Sequence, residues 1–179
     1  MIYLVTGLMR SGTSVIAQHL HELGIPMGTE MRFPTTAKNH LEWEDTRFTD
    51  ACFKQLIKKH QDSGQIGAFF REYIPSREGE SWGCKSPFAL PYANTFKIAA
   101  ERLGHEVKII TTYRPTYDTI HSLRELTEDD DLFYTIRAVQ EKLIGNLNTV
   151  HTDLQIDIKD TWLSPTSVRE SLAQLIRSS

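Results

Sequence analysis

The chain has 179 residues, 40% hydrophobic and 24% charged, which is the range of one compact globular domain able to bury a core. Its formal charge of -3 and pI near 6.2 exclude a surface built to grip nucleic acid, which needs an excess of Lys and Arg, so any anion site must be local. Two cysteines, Cys52 and Cys84, are too few for a disulfide scaffold and lack metal-type spacing; they read as free thiols in a reducing compartment. No apolar stretch approaches the roughly 20 residues that span a bilayer, and a strand-like run begins at Ile2. The expectation is a single cytoplasmic domain over residues 1–179, with neither nucleic acid nor membrane as partner.

The apolar, β-branched run from Ile2 to Thr6 is closed by Gly7 and followed by Val15, Ile16, His19, Leu20 and Leu23 at helical spacing. This predicts a strand, a glycine turn and a helix that Gly24 stops. Ile25 to Lys38, with two prolines and a Thr-Thr pair, reads as an irregular substrate loop. Asp45 to His60 carries Phe48, Phe53, Leu56 and Ile57 in a second helical pattern. From Gln61 to Ser81, three glycines and Pro75 predict a loop-rich stretch.

Trp82 to Cys84 is a candidate short strand, Pro91 to Leu103 a helix stopped by Gly104, and Val107 to Tyr113 a clear second strand. A helix with Pro115 in its first turn follows. The acidic run Glu128 to Asp131 reads as the solvated start of a helix from Leu132 to about Val150. A strand from Leu154 to Ile158 and a helix from Pro165 to Arg177 complete the pattern. Repeated strand–helix alternation predicts an α/β fold of three layers, a central parallel sheet flanked by helices, with ligands outside the carboxyl ends of the strands.

The turn Gly7-Leu8-Met9-Arg10-Ser11-Gly12-Thr13-Ser14 has the two glycines of a phosphate loop (P-loop), after a strand and before a helix, the context such a motif requires. Glycines let the backbone curl so that consecutive N–H groups point inward, and the helix start adds a dipole favourable to an anion. Arg10, Ser11, Thr13 and Ser14 add donors beside Gly12. A nucleoside-triphosphate enzyme places Lys after the second glycine, where this chain has Thr13. Nor does a magnesium aspartate close the later strands: Val107 to Tyr113 holds no acid, and Asp157 reads as lying inside its strand.

Arg114 ends the second clear strand, and Ser122 lies seven residues after Pro115, about two helical turns on the same face. Arg114 and Ser122 are therefore candidates to hold one anion together.

With these residues in place, the chain resembles the sulfotransferases that use 3′-phosphoadenosine 5′-phosphosulfate (PAPS). Their 5′-phosphosulfate loop often reads Arg-Ser-Gly-Thr-(Ser/Thr), and an Arg and a Ser at the spacing of Arg114 and Ser122 bind the 3′-phosphate. Trp82 to Leu90, with Lys85-Ser86-Pro87, is similar to the Lys-(Asp/Ser/Thr)-Pro segment of bacterial, heparan and tyrosylprotein sulfotransferases, whose lysine lies near the transferring sulfate. Leu20 to Gly28 and Asn39-His40-Leu41-Glu42 resemble bacterial segments, with Asn39 replacing a usual glycine. Asp157 to Ile176 is similar to the family's late strand and helix, although Ile158 and Lys159 stand where Tyr and Glu are common. The late basic, glycine-containing loop of the cytosolic enzymes has no counterpart here, which implies a more open 3′ site.

The resemblance implies a transferase that moves a sulfuryl group from PAPS to a hydroxyl or amine of a small-molecule, carbohydrate or peptide acceptor, releases 3′-phosphoadenosine 5′-phosphate (PAP), and uses no metal. Arg10 and the loop residues Ser11, Gly12, Thr13 and Ser14 would hold the 5′ end, with Lys85 at the departing oxygens. The acceptor must lose a proton, which calls for a positioned acid–base group. Glu42 and His40 match the bacterial pattern, whereas Glu30, with Arg32 nearby, resembles a tyrosylprotein sulfotransferase segment. Phe33, Trp43, Phe69, Phe70 and Tyr73 are candidate acceptor-pocket residues. Two alternatives remain at this level: a small-molecule kinase with a degenerate loop, and a non-catalytic phosphoadenosine-binding module.

Overall fold

The computed structural model describes residues 1–28, 43–58, 63–77, 79–127, 129–159 and 165–178. Four strands, β1 (Ile2–Gly7), β2 (Trp82–Lys85), β3 (Val107–Tyr113) and β4 (Leu154–Asp157), form one sheet in the order β2-β1-β3-β4. Every neighbouring pair is parallel. The chain goes from β1 to β2 on one side and then crosses back to β3 on the other, so the strand order reverses around β1. Such a reversal opens a crevice at the carboxyl ends of the strands.

Helices cover both faces. Along β1, Ile2 and Leu4 point to one side, and Tyr3 and Val5 to the other, all essentially unexposed; this is why the strand reads as a continuous apolar run rather than an alternation. Ile2 and Leu4 pack under α2 (Thr46–Ile57), α3 (Ser63–Tyr73), α4 (Ala93–Glu101) and α6 (Asp130–Ile144). Tyr3 and Val5 meet Ile16, Ala17 and Leu20 of α1 (Thr13–Glu22) and Val168 and Leu172 of α7 (Pro165–Arg177). The remaining helix, α5 (Thr116–Leu126), follows β3.

The helix ends follow the expected chemistry. Gly24, at φ 93, closes α1 with its N–H on His21 O at 2.9 Å and the Ile25 N–H on Leu20 O at 3.0 Å, a left-handed terminus that suits glycine. Asp45 caps α2 by accepting from Phe48 N at 3.2 Å, and Asp129 caps α6 by accepting from Leu132 N at 2.9 Å. Asp129 to Asp131 of the acidic run therefore form a helix start, with Asp130 and Asp131 in the first turn, where negative charge suits the helix dipole.

Three expectations need correction. The stretch from Gln61 to Ser81 is not mainly loop: Ser63–Tyr73 is helix and Ile74–Ser76 continues it as a 3-10 turn. Ile66, Phe70 and Tyr73 lie on one buried face, and that helical spacing outweighs the glycine content. Phe70 and Tyr73 are consequently core rather than pocket lining; Phe48 contacts both, at ring separations of 5.9 and 5.2 Å. The helix expected to reach Val150 ends at Ile144, with a short 3-10 turn over Leu147–Thr149.

Candidate functional site

The carboxyl ends of β1, β2 and β3 bring Gly7, Lys85 and Tyr113 to one edge of the sheet, so the loop after β1 lies between Lys85 and Arg114. Its shape is set by side chains from distant parts of the chain. The Ser11 hydroxyl donates to Leu8 O at 2.6 Å and lies 2.6 Å from Thr112 Oγ1, which fixes it under the loop and beside β3. A Cβ on Gly7 would come within 2.6 Å of Thr112 Oγ1 and 2.8 Å of Thr112 O. Gly12, the N-cap of α1, has φ 89, and a Cβ there would collide with Ile158 just beyond β4. Both glycines are thus required by close packing.

Gly12 gives α1 no side-chain cap, while its carbonyl accepts from Val15 N at 3.0 Å and Ile16 N at 3.3 Å; the dipole of a helix start favours an anion. Arg10 is one of two non-glycine residues with positive φ, at 63, among the described residues. Its Nε donates to Ser122 Oγ at 3.2 Å, and Arg114 Nη1 donates to Arg10 O at 3.2 Å. The first loop, the end of β3 and the helix after it therefore converge. Ser11 and Thr13 are buried, Arg114 is half-buried and Arg10 reaches solvent.

Lys85 is not a surface lysine. Only 3% of its side chain is exposed, and its Nζ donates to Glu44 Oε1 at 2.6 Å. The end of β2 is joined to β1 by Ser86 N to Val5 O at 3.1 Å and Thr6 Oγ1 to Ser86 O at 2.9 Å. Glu44 thus ties the segment before α2 to the sheet edge that carries the loop. Glu30, His40, Glu42 and Phe33 lie outside the described residues. Trp43 is half-buried, with its ring 4.6 Å from that of His21.

Asp157 closes β4 rather than lying inside it, but β3 separates that strand from β1. Its carboxylate accepts from Lys159 N at 2.9 Å, a local turn bond. Two partners of the site escaped the sequence reading. Glu44 carries no mark beyond its nearness to Glu42. Gln140 did carry one, as a polar residue among Ile136, Val139, Leu143 and Ile144 on the apolar stripe of α6.

No protein-family model matches the chain, and no curated protein matches its sequence. Among solved structures, the sulfotransferase domain of the Synechococcus PCC 7002 olefin synthase matches with a TM-score of 0.53 over 97% of this chain and 71% of that one, at 18% identity. The fold is sulfotransferase-like. At that identity the likeness concerns the path of the chain and leaves the chemistry to the residues themselves. Among the described residues, no helix is long and apolar enough to cross a membrane.

Proposed function

We propose that the chain is a sulfotransferase that binds PAPS across the loop Gly7 to Ser14 and the Arg114–Ser122 segment. The observation that carries this reading is the convergence of Arg10, Arg114 and Ser122 through contacts of 3.2 Å, with Lys85 on the neighbouring strand end. The residues suit the donor. Guanidinium groups make charge-assisted bonds to phosphate oxygens, and a helix start favours an anion. Thr13, where an NTPase has lysine, weighs against magnesium-dependent phosphoryl transfer.

In the reaction, an acceptor oxygen or nitrogen bonds to sulfur while the bond from sulfur to the bridging oxygen breaks. The electron pair leaves on the phosphate of PAP, and the acceptor proton passes to a base. The loop amides and Arg10 would hold the 5′ end in line, and Arg114 and Ser122 would hold the 3′-phosphate. Lys85 would meet the charge that develops on the bridging oxygen, where a preorganised cation lowers the barrier most. Glu44 keeps the Lys85 ammonium at the sheet edge. Glu42, His40 and Glu30, all preceding α2, are the proposed candidates for the base. The acceptor is a small molecule, carbohydrate or peptide, and the protein is proposed to act in the cytoplasm as a single domain.

Calorimetry with PAP tests the site. Arg10→Ala and Arg114→Ala should each weaken binding by about tenfold or more, through loss of a charge-assisted contact. Unchanged affinity in both variants sinks the assignment. A thermal shift with ATP and magnesium that exceeds the shift with PAP favours the kinase reading, whereas tight PAP binding with no transfer to any acceptor favours a binding module.

A further inference from the structure

The geometry points to Gln140 as a positioning residue of the anion loop, a role that rests on the PAP-site reading above. Gln140 lies on α6 and is 0% exposed. A buried amide is costly unless its donors and acceptor are satisfied, and this one is occupied at both ends. Its Oε1 accepts from Met9 N at 3.1 Å, while its Nε2 donates to Met9 O at 3.2 Å and to Thr119 Oγ1 at 3.1 Å. The Thr119 hydroxyl in turn donates to Thr116 O at 2.7 Å in the first turn of α5.

One side chain therefore holds both backbone groups of the residue before Arg10. In a planar trans peptide the C=O and N–H point in opposite directions. Anchoring Met9 O on α6 consequently turns the Arg10 N–H away from that helix. Arg10 itself stands at φ 63, a conformation that an L-residue keeps only where its surroundings enforce it. The Met9 clamp supplies that enforcement from the residue next to it.

The bond to Thr119 extends the effect to α5, which carries Ser122, the partner of Arg10 Nε. Gln140 thus sets the loop and the Arg114–Ser122 segment relative to each other from below, without touching a ligand. A site whose donors are already aimed loses less freedom on binding, so this residue acts on affinity through preorganisation.

The test compares Gln140→Met and Gln140→Glu with Leu143→Ala. Leu143 is a 0% exposed core residue of the same helix, and its truncation destabilises the protein without removing a bond to the loop. Gln140→Glu keeps an acceptor for Met9 N but faces Met9 O with a carboxylate and has no donor for it. Two readouts are needed: PAP affinity by calorimetry, and hydrogen exchange of the Leu8 to Ser14 amides in the absence of ligand. Both Gln140 variants should weaken PAP by about tenfold and speed exchange in the loop. Leu143→Ala should do neither beyond its general loss of stability.

Wild-type affinity in the Gln140 variants, or an equal loss in Leu143→Ala, overturns the role while leaving the PAP site standing. If the wild-type chain does not bind PAP, the site reading falls, and loop exchange still decides the clamp: unchanged exchange in Gln140→Met overturns it. If Gln140→Met does not fold, the same comparison is made with Gln140→Glu.

Discussion

Lys85, at the carboxyl end of β2, is buried against Glu44 with its Nζ 2.6 Å from Oε1. Removing one member of a buried ion pair leaves the other charged and desolvated, a cost of about 3–5 kcal/mol, whereas replacing both with apolar groups is often neutral. Lys85→Met should therefore lower stability in urea by about that amount, and Lys85→Met with Glu44→Met should recover most of it. If Lys85 serves the leaving group, the stable double variant still transfers no sulfate from labelled PAPS; full activity in it removes Lys85 from the mechanism. The base is separable in the same assay. Glu42→Gln should abolish transfer while leaving PAP affinity near wild type, as expected of a group that acts on the acceptor proton. That pattern in Glu30→Gln instead would move the role there.

At the scale of elements, α3 teaches more than the strands do. β3 was legible to the residue and β1 nearly so, because β1 is a short apolar run closed by Gly7 and β3 is rich in β-branched residues between Gly104 and Pro115. α3 was hidden by Gly64, Gly67 and Pro75, although Ile66, Phe70 and Tyr73 kept helical spacing through them. Gly67 is not required by its surroundings: a Cβ there would have Arg71 Nη1 and Thr95 Cγ2 at 3.7 Å, ordinary contacts. Gly67→Ala should stabilise the protein by up to about 1 kcal/mol, because it narrows the unfolded chain and suits the helix. Gly12→Ala should do the reverse, since φ 89 and Ile158 both oppose it. Thermal melts of the two variants shifting in opposite directions would confirm the contrast; a destabilised Gly67→Ala would refute it. The loop motif was legible for the same reason that Gly12 cannot change, because its glycines answer to steric demands. The side chains that brace the loop come from Thr112, Gln140 and Ile158, and no local pattern could connect them to it.

The whole molecule depends on burial that holds several weak acids in their neutral forms. Desolvation pushes the Cys52 thiol up, with Glu44 adding to the effect, and pushes the Cys84 thiol up as well. Tyr73 is raised by burial, and Tyr92 is pushed up by burial to about 12. Each group keeps its proton in the fold after the unfolded chain has begun to lose it. Stability from this source is therefore complete below the ordinary thiol value of 9.0 and is lost as pH rises above it. Above that pH the melting temperature should fall. In the Cys52→Ala, Cys84→Ala double variant, the decline should start nearer the ordinary tyrosine value of 10.0; an unchanged onset would mean that the thiols do not drive it. The three-layer arrangement was legible from strand–helix alternation. The strand order was not, because parallel pairing is decided by crossovers that leave no mark in any one segment.

The contact between Gly12 and Ile158 has a consequence for the growing chain. The loop Gly7 to Ser14 is written early in the sequence, yet one of its walls comes from just past β4, and its clamp, Gln140, lies 131 positions beyond Met9. A nascent polypeptide still short of that point has every glycine and arginine of the motif and none of these supports. On the ribosome, the loop residues of the proposed site, translated early, should be among the last to acquire their folded shape.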